Sequence, residues 1–158
     1  MSKTENLEVL VIGGGPGGVE AAAEAGARGM RTAIISEMPL GGRATYGSLL
    51  PSKAWLHAAE RGTDGQDADS STPRPDPAPL RARIGKLQRE RTEQLAGRLA
   101  GLGVEVIQGT GRLLDRSHVK VYTEDGVRTL TAANIVVAAG SEPRFFPNVK
   151  PDGNRIIA

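Results

Sequence analysis

Five glycines in six residues, Gly13-Gly14-Gly15-Pro16-Gly17-Gly18, constrain this chain more than any other feature. The run is entered from residues 8–12, Glu-Val-Leu-Val-Ile, a short apolar stretch that reads as a buried parallel strand. It is left through the Ala-rich residues 17–29, where Val19, Ala22, Ala23 and Gly26 recur at helical spacing and Gly29 supplies a stop. Thr-Ala-Ile-Ile-Ser at 32–36 is a second buried strand. Strand, glycine turn, helix and strand within about 30 residues have the size of a βαβ unit. The sequence therefore predicts an α/β fold, a Rossmann-like three-layer domain with a small β-meander appended.

Gly13, Gly15 and Gly18 satisfy the spacing G-x-G-x-x-G, and each has a physical reason. Gly13 lets the chain turn sharply out of the strand. Gly15 has no Cβ, so a diphosphate can approach the backbone. Gly18 lets the helix pack on the strands. The helix start at Pro16 and Gly17 offers N–H groups and a partial positive charge to that diphosphate. Glu37 lies just past the second strand, 24 residues after Gly13. An acid there accepts hydrogen bonds from ribose hydroxyls and repels a 2′-phosphate. These residues predict a dinucleotide and leave FAD and NAD both open.

Residues 62–79, rich in Gly, Asp, Ser and Pro, are expected to form a mobile surface loop. Residues 80–102 return to helical periodicity through Leu80, Ile84, Leu87, Leu95, Leu99 and Leu102, with Arg and Glu on the other face. Residues 104–108 read as a strand. Residues 112–114, 119–123 and 127–130 follow as a β-rich stretch, with a hairpin turn at Glu124-Asp125-Gly126. Residues 134–139, Asn-Ile-Val-Val-Ala-Ala, are expected to be a last, separate buried strand. Trp55 is expected in the core and His57 on a helix surface.

Composition removes several functions. With no cysteine, the chain has no disulfide, no thiolate metal site and no thiol nucleophile. His57 and His118 lack ligand-like spacing, so no metal is expected. A net charge of +2, with Arg scattered among acids, argues against nucleic acid. No apolar run approaches the roughly 20 residues of a membrane helix, so no membrane span is expected. The polar N-terminus leads straight into a strand, which makes the cytoplasm the default location.

Three blocks in order then carry a resemblance. Residues 11–18, Val-Ile-Gly-Gly-Gly-Pro-Gly-Gly, resemble the N-terminal FAD fingerprint of the pyridine nucleotide–disulfide oxidoreductases, such as dihydrolipoamide dehydrogenase. Gly41-Gly42, followed by Leu50-Pro51-Ser52-Lys53-Ala54 and Leu56-His57-Ala58-Ala59, is similar to that family's redox-helix segment. Val136-Val137-Ala138-Ala139-Gly140-Ser141, with Pro143 and Pro147 beyond, resembles the strand that returns to the cofactor before the NAD domain. The resemblance implies FAD held by Gly13, Gly15, Pro16, Gly17, Gly18, Glu37, Gly42, Arg43, Lys53, Gly111, Ala139, Gly140 and Ser141. In it Lys53 lies near the reactive edge of the flavin, against a plain reading as a surface lysine. Gly111 passes close to the adenine, against a plain reading as a strand bulge. Gly140 and Ser141 approach the diphosphate, against a plain reading as the turn after a strand.

The departures matter as much. The family's two redox cysteines align with Ala44 and Leu49, so no dithiol exchange is available and no catalytic residue is assigned. The family's Thr before Gly140 is Ala139. The resemblance also implies that NAD(P)H-binding and dimerisation domains lie outside residues 1–158. These residues are then an incomplete FAD-binding domain, inactive alone, of a protein that is a homodimer when intact. The expected function is an oxidoreductase passing electrons from a nicotinamide cofactor through FAD to an acceptor other than a disulfide. That acceptor could be a quinone, another protein's redox centre or a nicotinamide. The rival is a degenerate flavoprotein domain serving as a non-catalytic binding or assembly module.

Overall fold

The computed structural model describes residues 6–63, 77–142, 144, 145 and 152. The elements run β1 (Leu7–Ile12), α1 (Pro16–Ala27), β2 (Thr32–Ser36), α2 (Gly42–Tyr46), α3 (Leu49–Thr63), α4 (Pro77–Gly101), β3 (Glu105–Gln108), β4 (Thr110–Leu113), β5 (His118–Thr123) and β6 (Gly126–Val137). Strand order is β3-β2-β1-β6-β5-β4. The β3-β2-β1-β6 part is parallel and the β6-β5-β4 part antiparallel.

Alternation along the central strands builds the three layers. Val9, Val11 and Ile34 face α1 and α4, where Val19, Ala22, Leu95 and Leu99 complete one core. Leu10, Ile12, Ala33 and Ile35 face the opposite way and pack against Val119, Val121 and Leu130 of the meander. Leu10, Val11 and Ile34 are fully buried, each contributing about 1.5–3 kcal/mol of transfer free energy. The small side chains of α1 let it sit close to the sheet. The helix closes where Gly29 N–H donates to the Gly26 carbonyl (2.9 Å) and Met30 N–H to the Ala25 carbonyl (3.1 Å), the paired bonds of a left-handed helix terminus.

Several expectations change. The strands expected at 127–130 and 134–139 are one 12-residue strand, β6. Its first half pairs with β5 up to Thr131↔His118, and its second half pairs with β1 from Ala132↔Leu7 onward. A turn is unnecessary because one strand passes from the meander into the parallel layer. Its end is not buried either: Val137 is 63% exposed, since β1 flanks that half on one side only among the described residues. Trp55 is 39% exposed on α3 rather than in the core. His57 is on the helix surface, its Nδ1 3.7 Å from a carboxylate oxygen of Glu60. The expected loop is too wide at both ends. Gly62 and Thr63 continue α3, and Pro77 to Pro79 open α4, where proline needs no N–H partner. Residues 64–76 lie outside the described residues.

A candidate dinucleotide cleft

Three strands end at one place. Beyond β1, Gly13 adopts φ +114°, and an added Cβ there would strike the Ala138 carbonyl oxygen at the end of β6. The turn is pinned on both sides. Gly13 N–H donates to the Ile35 carbonyl and Ala138 N–H to the Ile12 carbonyl, each at 2.8 Å. Beneath the turn, a Cβ on Gly18 would overlap the Gly13 carbonyl oxygen, so α1 can lie this close to β1 only with glycine there. Gly15 differs: its Cβ direction meets no atom within 4 Å, and the space in front of it is the cleft.

The cleft has a volume of about 420 Å³. Its floor is the glycine turn, with Gly13, Gly15, Pro16 and Gly17. Gly15 precedes α1 with no side-chain cap, and no acid sits in the first turn. The uncapped N–H groups and the positive end of the helix dipole therefore face the cleft. One wall is Gly42, Arg43 and Ala44 of α2. Gly41 N–H donates to the Gly14 carbonyl (2.8 Å), and a Cβ on Gly42 would come within 2.9 Å of Gly15 Cα. Two backbones thus touch through glycine alone. The far wall holds Gly111 of β4, which faces Ile12 and Ile35 and stays in register with Val121, so it is no bulge. At one end Ala139, Gly140 and Ser141 line the cleft, and Arg43 Nη1 donates to the Ser141 carbonyl (3.2 Å). At the other end stands Glu37. Its carbonyl accepts from Gln108 Nε2 (2.8 Å), and its carboxylate makes no hydrogen bond or ion pair among the described residues.

Eleven of the thirteen residues named from the sequence therefore line one cleft. Gly18 lies under it as the packing glycine. Lys53 lies beside it, in an adjoining cavity of about 270 Å³ that shares Pro16 and Ala44 with the cleft. Ala44 and Leu49, which the resemblance aligns with the redox cysteines, both line that second cavity. Sequence reasoning missed Ser36, Met38, Gly109 and Thr110 in the lining. Gly109, at φ +155°, donates from its N–H to the Ser36 carbonyl (2.9 Å). The Gly-x-Gly at 109–111 was a usable signal, since glycine inside a strand marks close approach.

Among the described residues no three metal-ligating side chains cluster, and no helix is long and apolar enough to cross a membrane. Residues 7–157 match the family model described as pyridine nucleotide-disulphide oxidoreductase. The chain is 36% identical over 162 residues to dihydrolipoyl dehydrogenase of Chlorobaculum parvum, covering 99% of this chain and 34% of that protein. It is 30% identical over 171 residues to NAD(P)H dehydrogenase (quinone) of Mycobacterium tuberculosis, covering 94% and 34%. The crystal structure of LpdA from the same bacterium superposes with a TM-score of 0.80 at 29% identity, over 96% of this chain and 36% of that one. The chain thus spans about a third of the length of these relatives.

Proposed function

Because the chain belongs to the pyridine nucleotide–disulphide oxidoreductase family, we propose that its cleft holds FAD, and that the intact protein passes electrons from NAD(P)H through FAD to an acceptor other than a disulfide. The observation that carries this reading is Gly15. It has open cleft where a side chain would be, at an uncapped helix N-terminus, with the unpaired Glu37 carboxylate at the cleft's end. That donor set fits an ADP moiety: N–H groups and a helix dipole for the diphosphate, and a carboxylate for the ribose hydroxyls.

Gly13, Gly15, Pro16 and Gly17 would hold the diphosphate, with Gly140 and Ser141 approaching from the end of β6 and Gly18 letting α1 come close enough. Glu37 would hold the adenosine ribose, and Gly111 leaves room for the adenine. Arg43 offers its charge to the diphosphate while anchored to Ser141. Lys53, in the second cavity beside the cleft, would approach the reactive end of the cofactor. Bound there, FAD would supply reversible two-electron chemistry. The protein's part is to fix its position and to place cations where negative charge develops.

With Ala44 and Leu49 at the thiol positions, this segment has no sulfur to relay electrons to a disulfide. The name of the mycobacterial relative, NAD(P)H dehydrogenase (quinone), pairs a nicotinamide with an acceptor of that other kind. The nicotinamide site and the homodimer contact belong to the remainder of the intact protein. The test is NAD(P)H oxidation by the FAD-loaded intact protein with lipoamide or a soluble quinone as acceptor. Turnover with the quinone and none with lipoamide is expected; turnover with lipoamide would refute the reading.

A further inference from the structure

The second cavity has a chemistry of its own. Val19 of α1, Leu49 and Leu50 of α3 and Leu95 of α4 give it a largely apolar wall. Its lining contains one acid, Glu20, and two cations, Lys53 and Arg91. Glu20 is already matched: Arg98 donates to its two carboxylate oxygens at 2.6 and 2.9 Å. Lys53 and Arg91 make no ion pair or hydrogen bond among the described residues; the Arg91 charge lies near enough to Glu20 to help lower its carboxyl, after Arg98, but its N–H donors are left for a ligand. The cavity touches the cofactor cleft through Pro16 and Ala44, so one of the two positions aligned with the family's thiols, Ala44, stands between them, while the other, Leu49, lines the second cavity alone.

We propose that this cavity binds the electron acceptor, a small quinone bearing an anionic substituent. Its ring lies against the leucines and its anionic group meets Arg91. Lys53, beside the cleft, faces a ring oxygen. The assignment as acceptor site rests on the reading of the cleft as an FAD site. The balance is NAD(P)H + H⁺ + quinone → NAD(P)⁺ + hydroquinone. The nicotinamide loses a hydride, and the ring gains that electron pair and two protons, its two C=O groups becoming C–OH. Negative charge grows on the ring oxygens as the electrons arrive, and a nearby ammonium favours that state over the neutral quinone. Loss of the thiols thus has a physical consequence, since the acceptor itself can occupy the space beside the cofactor.

The experiment is equilibrium dialysis of the chain with 1,4-naphthoquinone-2-sulfonate and, separately, with uncharged 1,4-naphthoquinone. One saturable site is expected, with the sulfonate held about ten-fold more tightly, the size of one charge-assisted contact. Arg91→Gln, an exposed substitution outside the cleft, should erase that preference and leave FAD binding unchanged. Equal affinity for the two probes, or a preference that survives Arg91→Gln, would overturn the proposal. Displacement of the sulfonate by FAD would assign the cavity to the cofactor and overturn it as well. Saturable sulfonate binding to an intact protein that fails to bind FAD would refute the cofactor reading while upholding the cavity as a quinone site.

Discussion

A methyl group separates the two kinds of glycine in the nucleotide turn. On Gly18 it would overlap the Gly13 carbonyl oxygen, so Gly18→Ala must push α1 off β1. The expected cost is about 1–3 kcal/mol, the usual range for overpacking, read as a lower midpoint in urea unfolding. At the far end of the molecule, Asp115 organises the β4–β5 turn. Its carboxylate accepts from Ser117 N–H (2.8 Å) and His118 N–H (2.9 Å). The Ser117 N–H, followed by the His118 side chain, holds the Asp115 carboxyl down at about 2, from an ordinary 3.8. A depressed carboxylate stabilises the fold above its unfolded value and loses that contribution as pH falls through its folded value. Asp115→Ala should therefore be less stable than the wild type at pH 7, and the gap should close between pH 3.8 and about 2. A gap independent of pH in that window would contradict this role. The sequence reading named only the flanking strands, although an Asp two residues before the N–H it accepts from is an Asx-turn signal that could have marked this turn.

Among the elements, α4 governs the wall of the cleft without touching the cleft. Thr92 donates its hydroxyl to the Leu40 carbonyl (2.9 Å) and bonds the Tyr46 hydroxyl (2.7 Å), while Gln88 Nε2 donates to the Thr45 carbonyl (3.1 Å). Leu40 leads into Gly41, which is bonded to Gly14, so α4 holds α2 against the nucleotide turn. Thr92→Val keeps the volume and removes the hydroxyl. It should weaken FAD about five-fold, the worth of about 1 kcal/mol. Thr92→Ser should restore affinity, which a purely steric role would not allow. The βαβ unit was legible because period, turn chemistry and spacing agree there. The union of two expected strands into β6 was not, since Thr131 and Ala132 carry no mark of the change in partner. Nor was the adjoining of two cavities at Ala44, which arises from helix packing between residues distant in sequence.

For the whole molecule, layering and function have one origin. Parallel strands send their C-terminal ends to the same edge, and a ligand binds in the crevice outside those ends. Here β1, β2 and β6 deliver Gly13, Glu37 and Ala138 to that edge, while the folded-over meander brings Gly111 as the far wall. The central claim is that this crevice is a nucleotide site read through Gly15. Calorimetric titration of FAD into the wild type and into Gly15→Val, with ADP as competitor, tests it most directly. The substitution meets no protein atom at its Cβ and should cost the fold only about 1 kcal/mol at a helix N-cap, which circular dichroism can verify. The account predicts FAD binding to the wild type that ADP competes away, and no measurable binding to a folded Gly15→Val. FAD binding of equal strength to both proteins would contradict it.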